Sequence, residues 1–101
     1  MITVSTSTIC ESFRVIDTIM VLHTLNQKGF LGSGGYDFAE GFEQAKALIR
    51  GEAERLGGDA VINCDFELRV AITPMMNQQV FEIFCFGTVV KIDAGANPHA
   101  R

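Results

Sequence analysis

The chain has 101 residues, enough for one domain of common size and too few for a second core. Its net charge is −4 and its pI about 5.0, and no two of its basic residues are adjacent, which excludes a sequence-independent nucleic-acid binder and a lipid-surface patch. Hydrophobic residues make up 48% and charged residues only 20%, so the chain buries a core easily and has apolar surface to spare.

The opening residues 3–8 are polar and β-branched, and suit a short edge strand or an extended arm. There is no basic start and no apolar block of signal-peptide length, and the apolar runs are far shorter than the ~20 residues that cross a bilayer. Three widely spaced cysteines, Cys10, Cys64 and Cys85, make a reduced, cytoplasmic setting the simplest expectation.

The run Phe13–Leu25 is rich in β-branched residues, contains no Gly or Pro, and reads as a long strand. Asn26-Gln27-Lys28-Gly29 ends it, and Gly32-Ser33-Gly34-Gly35 forms a flexible loop. A helix follows. Asp37 is a good N-cap, with Glu40 three residues on in a capping-box pattern. Phe38, Phe42, Ala45, Ile49 and Leu56 form its core stripe, flanked by Leu48 and Ala53; Glu40, Glu43, Ala47, Arg50 and Glu54 face water. Gly41 and Gly51 lie off the middle of the stripe, and Leu56-Gly57-Gly58 supplies a left-handed C-terminal cap.

The next segment alternates, with Ala60, Ile62, Cys64, Phe66, Leu68 and Val70 on one face and Asn63, Asp65, Glu67 and Arg69 on the other. Thr73-Pro74-Met75-Met76-Asn77 makes a turn. The last strand, 80–92, is apolar on both faces: Val80, Phe84, Phe86, Val90 and Ile92 share one parity, and Phe81, Ile83, Cys85 and Val89 the other. The domain thus spans 1–92, and a polar tail at 93–101 is expected to be disordered.

This order predicts an α+β, two-layer fold, with one helix on a three-stranded antiparallel sheet. Counting the long strands, the sheet order is 1-3-2: a split β-α-β unit plus a hairpin, with the doubly apolar strand in the centre. One helix covers one face. The other keeps a patch of apolar side chains, which predicts a homo-oligomer joined through its strands.

Gly34-Gly35-Tyr36, the Ala45-Lys46 pair, Leu56-Gly57-Gly58-Asp59-Ala60-Val61-Ile62 and the closing Phe86-Gly87-Thr88-Val89-Val90 resemble the YbjQ-like family, in order and in spacing, over residues 32–65 and 84–91. The resemblance implies a dodecin-like subunit assembled as a ring, commonly a pentamer. It carries the family label of heavy-metal binding, with a biochemical role that is poorly defined. The chain departs from the family in its first half: residues 18–25 read Thr-Ile-Met-Val-Leu-His-Thr-Leu where the family shows a glycine-rich strand, and the following loop is shorter.

The chemistry-bearing residues are sparse. Cys10, His23, Cys64, Cys85 and His99 are the soft or borderline ligands, and none is spaced as a zinc pair such as Cys-x-x-Cys. Cys64 and Cys85 fall in apolar strand parity, where cysteine acts as a small hydrophobe, but they can face each other across a hairpin. His23 shares parity with Val15, Ile19 and Val21, and in a symmetric ring it would recur around an axis. His23, Cys64 and Cys85 are therefore the metal candidates, with a metal ion the one cofactor to test for. The Gly32–Gly35 loop matches neither phosphate-binding pattern, and Asp37 is accounted for as a cap. Asp65 and Glu67 share a polar face that suits a hard cation or plain solvation. Glu52 sits just off the helix stripe, a place that predicts half-burial. No catalytic grouping emerges, so a non-enzymatic oligomer that binds a ligand or partner is the leading expectation, and a metal-binding protein using Cys and His across subunits the alternative.

Overall fold

The computed structural model describes residues 2–26, 35–73 and 78–93. Residues 27–34, the turn at 74–77 and the tail at 94–101, with His99, lie outside the described residues. The elements in chain order are β1 (Thr3–Val4), β2 (Phe13–Leu25), α1 (Phe38–Arg55), β3 (Ala60–Thr73) and β4 (Gln78–Ile92).

The fold is α+β, with one helix on a single sheet among the described residues. The sheet is four-stranded and mixed, in order β1-β3-β4-β2, and not the three-stranded antiparallel sheet expected. The three long strands do take the expected order, with the doubly apolar β4 between β2 and β3 and antiparallel to both. The difference is β1. The chain enters parallel to β3, pairing Thr3 with Ala60 and Val4 with Val61.

The helix starts and stops for local reasons. The Asp37 carboxylate accepts the Glu40 N–H at 3.1 Å. At the other end Gly57 takes φ 76°, its N–H reaches the Glu54 carbonyl at 3.0 Å, and the Gly58 N–H reaches that of Ala53 at 2.9 Å. That pair of bonds is the Schellman arrangement. Gly58 is required for a second reason: a Cβ there would lie 2.3 Å from Val89 Cγ1.

Ala45, Ile49 and Ala53 are fully buried against Val61, Cys64, Ile83, Cys85 and Val89. The helix stripe is placed as expected at its centre and differs at its margins. Gly41 is buried, and a Cβ on it would come within 2.9 Å of Ile83 Cδ1, so this glycine lets the helix approach the sheet. Leu48 is 44% exposed. Arg50, expected in water, is half-buried and donates from Nε to the Ile2 carbonyl at 3.0 Å, tying the helix to the N-terminal arm.

The unbroken alternation expected along β3 is interrupted. Ile62 lies opposite Thr88 and Asp65 opposite Phe86, so Asn63 and Cys64 together face Gly87 alone, a β-bulge. Val61 therefore joins the helix-side core, while Ala60 and Ile62 turn to the opposite face. There Ile9 and Phe13 cover them, with Val90, as a small second cluster.

Candidate functional site

Three features of the molecule carry chemistry or leave it unfinished. The first is the thiol pair. Cys64 is the second residue of the bulge and Cys85 sits on the adjacent strand, and their Sγ atoms are 3.2 Å apart, within hydrogen-bond reach of each other. Both are buried, at 2% and 0% exposure. Burial pushes the Cys85 thiol far above its ordinary value of 9.0, and the bond with Cys64 pushes it the same way. Burial likewise raises Cys64. These are protonated, shielded thiols, poor nucleophiles as they stand.

His23 is half-buried on β2 opposite Ile83. No group of three or more His, Cys, Asp or Glu side chains able to hold an ion forms among the described residues, so His23 does not complete a three-ligand set with the thiols within the chain. Cys10 is exposed and far along the chain from both. Asp65 and Glu67 lie opposite Phe86 and Phe84 on the face away from the helix, and Asp65 Oδ1 accepts the Phe66 N–H at 2.9 Å. Glu52 pairs with Arg55 on the helix, Oε2 to Nη2 at 2.8 Å, an exposed i,i+3 pair of small energetic weight.

The second feature is the uncovered sheet. The helix lies over β2 and β4, so on β3 the side chains beyond its reach stay wet: Leu68, Val70 and Ile72 are 44–55% exposed. On the face away from the helix, Leu22 opposes Phe84 and Met20 opposes Phe86. Met20 is 61% and Leu22 44% exposed, and beside them Arg69 sits 4.6 Å over the Phe84 ring and 3.6 Å from Glu82. Beyond Cys64, no strand pairs with the outer edge of β3 among the described residues.

The third feature is a concavity of about 380 Å³ on that same face, lined by Thr18, Ile19, Met20, Asn63, Phe86, Gly87 and Thr88. The bulge creates it. Asn63 takes φ 50°, a left-handed conformation that asparagine tolerates better than other side chains. The N-terminal arm holds it there: the Asn63 N–H bonds to the Ser7 carbonyl at 3.0 Å and the Cys64 N–H to that of Ser5 at 2.8 Å. Gly87 completes the arrangement, because a Cβ there would lie 2.6 Å from Val61 Cγ1 and 3.3 Å from Cys64 Cα. The alternating pattern of 60–70 hid this place. The signal present was an asparagine within a run apolar on both sides of it.

Among the described residues, one helix on a mixed sheet, built from a split β-α-β unit and a hairpin, is the class these elements define. A solved structure from Pediococcus pentosaceus ATCC 25745, described as a protein of unknown function of the DUF74 family, shares it. The TM-score is 0.73 at 20% identity, over 91% of this chain and 98% of that one. DUF74 is the YbjQ-like family, so the likeness agrees in fold with the resemblance read from residues 32–65 and 84–91. No family model matches the chain, and no curated protein does.

Proposed function

We propose that the protein works as a non-enzymatic homo-oligomer, a ring of the kind the YbjQ-like resemblance implies, with the pentamer as its expected size. The observation that carries this reading is the apolar surface around Met20, Leu22, Phe84 and Phe86, which a single helix on the other face leaves without cover. Leaving such side chains half wet forgoes about 1 kcal/mol each. A second copy is the economical cover, since Arg69, Glu82 and Glu67 frame the patch with both signs of charge, a rim able to pair with itself. The outer helix face, with Glu43 and Glu54, is charged and unsuited to the centre of an interface. The free thiols of Cys10, Cys64 and Cys85 fit a reducing compartment.

The test is sedimentation of three variants. Phe84→Lys places a charge in the patch and should give a folded, smaller species. Ala47→Lys on the exposed helix face should leave the assembly intact. Ile83→Lys, in the helix-side core, should unfold the subunit. Release of subunits by Ala47→Lys alone would move the interface to the helix.

A second reading, metal binding, is favoured by one contact, the 3.2 Å approach of Cys64 and Cys85. The sulfurs meet inside one subunit and not across two, so such a site would hold a thiophilic ion between strands, with His23 drawn in only by rearrangement or by a neighbouring copy. Elemental analysis of tag-free protein decides it. The leading reading expects no stoichiometric zinc, copper or nickel; a ratio near one per subunit, lost in Cys64→Ala, would put metal binding first.

A further inference from the structure

The concavity over the β3 bulge has a polar row, Thr18, Thr88 and Asn63, that the oligomer reading does not use. Thr18 and Thr88 lie directly opposite each other on β2 and β4, and Asn63 follows Ile62, the β3 residue opposite Thr88. Adjacent strands are ~4.8 Å apart, so these polar side chains form a row roughly 10 Å wide. None of the three side chains makes a hydrogen bond to another described residue. One register step along, Met20 and the half-buried Phe86 ring form a parallel apolar row. Ligand sites combine an apolar floor with a few convergent polar groups in this way, and about 380 Å³ is at the small-metabolite end of their range.

We infer that this concavity binds a neutral ring-shaped polyol of monosaccharide size, its C–H face laid on Phe86 and its hydroxyls bonded to Thr18, Thr88 and Asn63. The charge of the site selects against anions. No basic side chain lines it, and one carboxylate flanks it, Asp65 opposite Phe86. This carboxylate accepts one backbone N–H, that of Phe66, and keeps acceptor positions for a ligand hydroxyl. An apolar ligand would take the Thr and Asn groups out of water without partners. A polyol presents hydroxyls that both donate and accept, as Thr and Asn side chains together do, and one face of C–H groups that suits an aromatic ring.

The left-handed Asn63 points the same way. A non-glycine residue in this conformation persists where surrounding structure over-determines it, and bulges gather beside functional sites. Here the Ser5 and Ser7 carbonyls fix it, and the result is to bring its carboxamide to the end of the Thr row. Every lining residue belongs to one chain, and two of them, Met20 and Phe86, also border the apolar patch of the oligomer reading, so a bound sugar and a second copy compete for that edge.

The experiment is a backbone-amide NMR titration of the full chain with glucose, galactose, mannose and ribose. Each is carried to about 50 mM, far enough to saturate millimolar binding. A sugar phosphate and uridine serve as counter-ligands. At least one neutral sugar should shift the amides of Thr18, Asn63, Gly87 and Thr88 saturably, and should bind more tightly than the sugar phosphate or uridine. Thr88→Val, nearly isosteric, and Phe86→Leu should each weaken it about tenfold, the loss of one hydrogen bond or one ring contact. Sedimentation of each variant alongside separates loss of the site from loss of assembly, and Phe84→Lys, outside the lining, should still bind. No saturable shift with any neutral sugar, tighter binding of the sugar phosphate or uridine, or affinity unmoved by Thr88→Val would overturn the inference.

Discussion

Asn63 is where one residue does most to shape this sheet. Its φ of 50° suits Gly as well as Asn and strains a β-branched side chain. Asn63→Gly should therefore shift stability by only a few tenths of a kcal/mol, whereas Asn63→Val should cost about 1–3 kcal/mol in a denaturant melt. The thiols make a second prediction at this scale. Exposed Cys10 should react with a thiol reagent in the native protein, and Cys64 and Cys85 only on unfolding. Their raised values also set a pH dependence. Folded thiols that hold their protons more tightly than unfolded ones add stability that is full below the ordinary value of 9.0. It declines as pH rises from there toward the raised folded values. The denaturation midpoint should fall above pH 9.0, less steeply in Cys85→Ala. A midpoint flat to pH 10, about a unit beyond the unfolded thiol, would contradict the burial of this pair.

At the scale of elements, the helix was the most legible part of the sequence. Asp37, the Ala45–Ile49–Ala53 spacing and the Gly57-Gly58 cap each act within a few residues, so local chemistry fixes them. Ile49→Ala should cost about 2–5 kcal/mol and half-buried Phe42→Ala toward the lower end, with Glu43→Ala nearly silent. The two helix glycines should separate. Gly51 has open space where a Cβ would go, so Gly51→Ala should stabilise by up to about 1 kcal/mol. Gly41→Ala should gain less, because it must displace Ile83 and Leu25 methyl groups. Equal gains in thermal melts would mean that the helix stands further from the sheet. The strands were legible as segments and in their order, but not in their faces. At 60–62 both parities are apolar, Val61 toward the helix and Ile62 away, so the pattern carries no mark of the slip at Asn63. The parallel pairing of β1 left no mark either, because two residues, Thr3–Val4, are too short to show a period. Contact between Cys64 and Cys85 could be read as an option. Its realisation depended on the bulge, which is set by Gly87 and the Ser5 and Ser7 carbonyls far away in sequence.

The whole molecule is a sheet with one cover and two faces. On the helix side, Ile83, Cys85 and Val89 are fully buried; on the other, Met20 and Leu22 remain largely open beside Phe84 and Phe86. No described helix is long and apolar enough to cross a membrane. The excess of hydrophobic over charged residues, 48% against 20%, has its structural counterpart in that face. Native mass determination of the full chain, with and without chelator, tests the account most directly. It predicts a single species at several multiples of 11.0 kDa, five by the family resemblance, unchanged by the chelator. A folded species at 11.0 kDa at micromolar concentration would contradict it.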